Sequence, residues 1–165
     1  MGLELAQTLA ELIADQPRPR VLLGGLALAQ QLASTVDGLV LLEQALSPRK
    51  LAKRRGAQPC VRADRGALPL AAGSVGTLVA ANVLERGDPA EHIKRLCRVL
   101  SDGGRLVLVE GRRSATVHAL RSLGRGLNRL LPEDLTTLLL GTDVGEIAQH
   151  WPASSVVTVG RLCRL

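Results

Sequence analysis

Apolar positions recur along the chain at helical spacing first and then in short unbroken runs. Leu5, Leu9, Leu12 and Ile13 share one face of a helix predicted over residues 3 to 15, and Gln16-Pro17-Arg18-Pro19 breaks it. Arg20 to Leu23 reads as a strand, Leu26 to Ala33 as a short helix after Gly24-Gly25, and Gly38 to Leu42 as a second strand that ends at Glu43. Together they make one β-α-β unit. Ser47 caps a further helix with Pro48 at its first position, and Gly56 stops it. Cys60 to Ala63 and Thr77 to Ala81 are the next strands, with Leu68-Pro69-Leu70 and Gly73-Ser74 in the loop between them. Asp88-Pro89 opens a helix to about Leu100, with Ile93, Leu96, Cys97 and Leu100 on one face. Gly103-Gly104 then turns the chain into Arg105 to Glu110, whose Leu106-Val107-Leu108-Val109 run is a buried strand.

Strands that alternate with helices and read as unbroken apolar runs predict a parallel sheet covered on both faces, a doubly wound α/β fold. Beyond Val117 the pattern changes to a helix reaching about Leu130, another over Pro132 to Leu140, and two strands, Val144 to Ala148 and Ser155 to Val159. The short link around Trp151-Pro152 cannot hold a crossover helix, so these strands form an antiparallel hairpin.

Composition narrows the picture. A chain of 165 residues has room for one core, so residues 1–165 form a single domain. Trp151 is the one aromatic residue, which leaves Leu, Val and Ala to build that core and argues against ligand recognition by stacking. The uncharged stretch Gly66 to Leu84 is interrupted by Pro69, Gly73, Ser74, Gly76, Thr77 and Asn82, so no membrane span is expected. Glu4 and Glu11 precede the first basic residue, Arg18, unlike a secretory signal or transit peptide, and a cytoplasmic protein is expected. Cys60, Cys97 and Cys163 are odd in number and widely spaced; they read as small buried hydrophobes rather than a disulfide framework or zinc site. His92, His118 and His150 have no cysteine or carboxylate at ligand spacing, so no metal is expected.

The net charge of +6 is concentrated. Arg49 to Arg65 carries seven basic residues against Asp64 alone, and Arg112 to Arg129 carries five with no acid. Phosphate binding would use such charge, but no aromatic residue is interleaved with it and no helix-turn-helix, zinc-finger or RNP signature is present. Nucleic acid is therefore not the expected partner.

Several segments resemble the class I S-adenosylmethionine-dependent methyltransferases, the small-molecule type with an L-P-F-x-x-x-S-F-D motif. Ala63-Asp64, Leu68-Pro69-Leu70 and Gly73-Ser74 resemble the loop after the family's third strand. Asp88-Pro89 and Arg98-Val99-Leu100-Ser101-Asp102-Gly103-Gly104-Arg105-Leu106-Val107-Leu108-Val109-Glu110 resemble its fourth helix and fifth strand. Leu131-Pro132-Glu133-Asp134-Leu135 and Val156-Val157-Thr158-Val159-Gly160-Arg161 resemble its C-terminal pattern. The resemblance implies a Rossmann-like sheet, mostly parallel, with helices on both faces and a terminal antiparallel hairpin. It also implies a methyl donor bound at the carboxyl ends of the strands, where a Gly-rich loop admits close backbone approach.

That loop reads D-x-G-x-G-x-G in the family. Here Leu23 stands in place of the acid, Gly24 and Gly25 are what remains of the glycines, and the segment from Val21 to Glu43 is shorter than usual. Glu43 matches the family acid that bonds the ribose hydroxyls, and Asp64 the acid that contacts the adenine amine. Leu70, Val75 and Gly76 replace the usual Phe, Phe and Asp, and Glu85, a lone loop carboxylate, reads as solvated. The expectation is a methyltransferase-like protein that has lost S-adenosylmethionine, needs no cofactor and serves as an interaction or regulatory module. The alternative is an active methyltransferase on a small molecule or protein, its donor held by an atypical loop. Arg121, Arg125 and Arg129 recur every fourth residue and stack along one helix face, as a solvated face or as a docking surface for an acidic protein partner, with oligomerisation left open.

Overall fold

The computed structural model describes residues 2–43, 59–63, 67–85, 87–111, 130–152 and 155–164. Seven strands form one sheet: β1 (Arg20–Leu23), β2 (Leu39–Glu43), β3 (Cys60–Arg62), β4 (Val75–Ala81), β5 (Leu100–Gly111), β6 (Val144–His150) and β7 (Ser155–Leu162). Their spatial order is β3-β2-β1-β4-β5-β7-β6. The β3–β2, β2–β1, β1–β4 and β4–β5 pairs are parallel, while β5–β7 and β7–β6 are antiparallel. This is the doubly wound sheet with the terminal hairpin that the sequence predicts.

Four described helices cover it: α1 (Gly2–Ile13), α2 (Leu26–Leu32), α3 (Pro89–Val99) and α4 (Pro132–Leu140). Because successive strand residues face opposite sides, Val21, Leu23, Leu78, Ala80, Leu106 and Leu108 join one buried cluster with α3 and α4. Leu22, Val79, Ala81, Val107 and Val109 join the other with α1 and α2. The apolar runs of β1, β4 and β5 are unbroken for this reason: both faces are buried.

Local chemistry sets the helix ends. The Asp88 carboxylate accepts the Ala90 amide at 2.9 Å ahead of Pro89, which satisfies one of the free N–H groups at the start of α3. At α4 the Asp134 carboxylate accepts the Leu131 amide at 2.7 Å, again with proline in the first turn. The helix opened by Ser47-Pro48 and stopped by Gly56, and the segment from Val117 to Arg129, lie outside the described residues.

Two strand starts differ from expectation by two residues or more. β5 begins at Leu100, not Arg105, because Gly103 takes a φ of +71° and lets the chain bend while Leu100 still pairs with Val75. Leu100 is accordingly buried as a strand residue, and Val99 takes the last buried position of α3. β4 begins at Val75, two residues before the expected Thr77, and includes Gly76. The reason lies in the strap Pro17–Pro19: the Gly76 and Thr77 amides donate to the Pro19 carbonyl at 3.0 and 3.1 Å, and the Thr77 hydroxyl donates to that of Pro17 at 2.8 Å.

Candidate functional site at the carboxyl ends of the strands

In a doubly wound sheet the crevice for ligands opens beside the strand where the connections change direction. Here that point lies between β1 and β4. The link from β1 to α2 is two residues long, Gly24 and Gly25, both with φ of +75°, a conformation that costs glycine little. The Gly24 amide donates to the Leu42 carbonyl at 2.8 Å, and the Gly25 carbonyl accepts the Ala29 amide at 2.9 Å, so the chain passes from strand to helix without slack.

The loop is drawn onto the end of β4. A Cβ on Gly24 would stand 3.0 Å from the Ala81 carbonyl oxygen, and one on Gly25 would stand 3.3 Å from the Ala81 Cβ. Leu23, at the position of the expected acid, is 3% exposed and packs in the cluster that holds Leu42, Ala63, Ala80 and Val83. An ionised group there would lose its water with no charge partner among the described members of that cluster, so the apolar side chain suits its surroundings.

Glu43 closes β2 opposite Arg62 in the parallel register and is half-buried. Its carbonyl accepts the Ala63 amide at 3.2 Å, and its carboxylate pairs with none of the described residues. The structure therefore brings Gly24, Gly25 and Glu43 to one end of the sheet. Asp64 lies outside the described residues, as do Arg121, Arg125, Arg129 and His118.

Two residues at this end are given no site role by the sequence. Asn82 takes a φ of +52° just past β4, and its amide donates to the Val109 carbonyl at 2.8 Å, which ties the ends of β4 and β5 together. Asn tolerates this conformation better than most residues, the one sequence signal available. Glu110 ends the buried run of β5 half-buried, with Oε1 accepting the Leu84 amide at 3.3 Å. Glu85 is half-buried rather than solvated. Gly87, with a φ of +78°, lies under His92; a Cβ there would meet Nε2 at 2.9 Å. Among the described residues no three His, Cys, Asp or Glu side chains are grouped to hold a metal ion.

The cysteines divide by environment, which corrects the expectation that all three are buried: Cys97 is buried, Cys60 is half-buried and Cys163 is exposed. Burial pushes the Cys97 thiol up to about 11, with the Thr142 hydroxyl and the Arg164 guanidinium opposing it in part. The thiolate is the reactive form, so Cys97 stays inert through neutral pH and its reactivity rises only as pH approaches 11. Iodoacetamide at pH 8 is expected to label Cys163 first and spare Cys97, as read by peptide mass analysis. Early labelling of Cys97 in the folded protein would contradict the burial.

A family model described as a methyltransferase domain matches residues 23–108. No curated protein sequence matches the chain. Among solved structures, the CurJ carbon methyltransferase superposes with a TM-score of 0.73 at 14% identity, over 99% of this chain and 54% of its own. A complex between the Haloferax volcanii Trm112 methyltransferase activator and a proposed methyltransferase gives 0.74 at 13% identity, over 96% of this chain and 89% of that one. Human N-acetylserotonin methyltransferase in complex with SAM gives 0.69 at 19%, over 99% and 51%. The chain thus spans about half the length of the carbon methyltransferase and the human enzyme.

Proposed function

This chain belongs to the methyltransferase-domain family, and from that premise we propose that it keeps the fold without binding S-adenosylmethionine and works as an interaction or regulatory module. One observation carries the reading: Leu23, buried and apolar at the end of β1, above a two-residue loop that closes on Ala81. The donor's methionyl end carries an ammonium group, and Leu23, in the place of the family acid, offers it no carboxylate. Glu43 fits the other half of such a donor, since a carboxylate can accept from two ribose hydroxyls. Half a site does not fit the whole donor, so no methyl-transfer step is assigned to these residues.

Further features belong to the same proposal: a single domain, a cytoplasmic location, and an acidic protein partner for Arg121, Arg125 and Arg129. The Haloferax volcanii neighbour pairs this fold with an activator protein, which supports a protein partner. Among the described residues no helix is long and apolar enough to cross a membrane.

A thermal shift with the donor tests the reading. A ligand stabilises by RT ln(1 + [L]/Kd), so 1 mM donor with a Kd weaker than about 10 mM adds under ~0.1 kcal/mol and moves Tm by well under a degree. Donor held at about 10 μM would add ~2.7 kcal/mol and raise Tm by roughly 5–11 °C. A shift of several degrees, supported by calorimetric titration with S-adenosylmethionine and S-adenosylhomocysteine, would replace this reading with that of an active methyltransferase.

A further inference from the structure

Two features set this strand end apart from a donor site, the acid replaced by Leu23 and the short link that follows it, and their geometry ranks them. Gly24 and Gly25 are the whole of the link between β1 and α2. Neither is left over to form a loop. The Gly24 amide donates to the Leu42 carbonyl at 2.8 Å, which extends the β1–β2 ladder one residue past Leu23. The Gly25 carbonyl accepts the Ala29 amide at 2.9 Å and so opens the hydrogen-bond series of α2. One residue of the link is spent on the sheet and the other on the helix.

The space around the link is taken as well. Leu23 pairs with Ala80 in the parallel register, which sets Gly24 beside Ala81 at the end of β4. Gly25 is held between β4 and α2: a Cβ there would stand 3.3 Å from the Ala81 Cβ and 3.4 Å from the Leu28 Cβ. Position 23 faces elsewhere. Strand residues alternate between the two faces of a sheet, and Leu23 falls with Val21 in the buried cluster under α3 and α4, whereas Leu22 packs with Leu28, Ala29 and Leu32 of α2 on the other face. A carboxylate at position 23 would therefore enter apolar core on the side of the sheet away from α2.

We infer that the seating of Gly24 and Gly25 between β2, β4 and α2, and not the exchange of an acid for Leu23, is what excludes the methyl donor, so that restoring the acid by itself does not reopen the site. A backbone that approaches a ligand at a strand end has to leave the strand before it enters the helix. In this chain the first residue past β1 is still in the ladder and the second already belongs to the helix start. A methionyl carboxylate accepts hydrogen bonds and donates none, and the Gly24 amide that could meet it is committed to Leu42. Because it presupposes that the donor is shut out, this inference rests on the lost-donor reading above.

The test titrates S-adenosylmethionine and S-adenosylhomocysteine calorimetrically into the full chain in five forms: the parent, Leu23→Asp, Leu23→Asn, an insertion of Ala-Gly-Ser between Leu23 and Gly24, and that insertion combined with Leu23→Asp. Circular dichroism checks that each is folded. Leu23→Asn places an acceptor at the position without a buried charge, so a fold lost in Leu23→Asp leaves the comparison intact. The parent and both position-23 variants are expected to give no saturable heat up to 1 mM ligand. The insertion alone should saturate with a Kd below about 1 mM, and its combination with Leu23→Asp should bind at least fivefold tighter. Saturation of either position-23 variant while the parent stays silent would overturn the inference and leave the lost-donor reading standing; saturation of the parent would end that reading. Folded insertion variants that fail to saturate would overturn the inference too. Should the insertions not fold, hydrogen exchange of the parent decides: the Leu42 bond predicts that the Gly24 amide is protected at least tenfold relative to an unstructured amide and stays so with 1 mM S-adenosylhomocysteine, and weaker protection would mean that the link is not seated.

Discussion

Gly76→Asp, which restores the residue that the resembled loop motif usually carries, is expected to destabilise the protein by about 3 kcal/mol or more, lowering Tm by roughly 6–12 °C. A Cβ at Gly76 would stand 2.6 Å from both the carbonyl carbon and oxygen of Pro17 and 2.7 Å from the Arg18 carbonyl oxygen. These neighbours are backbone, and the strap that carries them is pinned to β4 by three hydrogen bonds, through Pro17 and Pro19. It cannot withdraw without breaking them. The new carboxylate would also face two carbonyl oxygens, which offer it no donor. Gly111→Ala is the control, since no described residue lies within 4 Å of a Cβ there. Thermal unfolding of the two variants beside the parent decides the matter. If Gly76→Asp melts within 2 °C of the parent, the strap is looser than its contacts imply.

The departure at Gly76 therefore has a structural cause that is distinct from the departure at Leu23. The sequence alone places both among missing family residues. In the fold, the Gly76 position is taken by the protein's own N-terminal strap at the amino end of the sheet, while Leu23 fills the core at the carboxyl end, where a donor would bind. Only the second bears on cofactor binding.

The elements were legible where physical signals coincide. β1 ends at Leu23 because an apolar run meets two glycines that adopt positive φ, and α3 starts where Asp88 and Pro89 stand together. Burial of both sheet faces made β1, β2, β4 and β5 readable as unbroken apolar runs. The start of β5 was not legible, since Gly103-Gly104 carries the same signal for a turn as for a bend inside a strand. Nor was the start of β4, because its pairing depends on a strap distant in sequence. At the site, Gly24, Gly25 and Glu43 stand where the strand ends predict. The roles of Asn82 and Glu110 are not legible in the sequence, because their partners, Val109 and Leu84, belong to neighbouring segments that only the sheet order brings together. Cys163 was misplaced because its burial is decided by the edge of the hairpin and not by its own side chain.

A second large effect is expected at Arg20, a cation 5% exposed at the start of β1. Its guanidinium has no carboxylate partner among the described residues and donates instead to backbone carbonyls. Nη1 reaches Asp37 at 3.3 Å, Nη2 reaches Gln16 at 3.0 Å and also Ala14, and Nε reaches Gln16 at 3.3 Å. One side chain thus ties the turn after α1 and the turn before β2 to the start of β1. A neutral chain of similar length would leave three carbonyls without this donor, and hydrogen bonds from a charged group contribute more than neutral ones. Arg20→Met should cost about 3–4 kcal/mol, against about half that for Arg20→Lys, whose single ammonium cannot span all three carbonyls. Chemical denaturation of both variants measures the difference, with an unchanged m-value expected if the unfolded state is unaffected. The ordering of the two is the sharper criterion: were lysine as costly as methionine, the forked geometry would be essential and the charge incidental, and were methionine to cost under about 1 kcal/mol, the carbonyls would have found other donors and Arg20 would not be the tie described here.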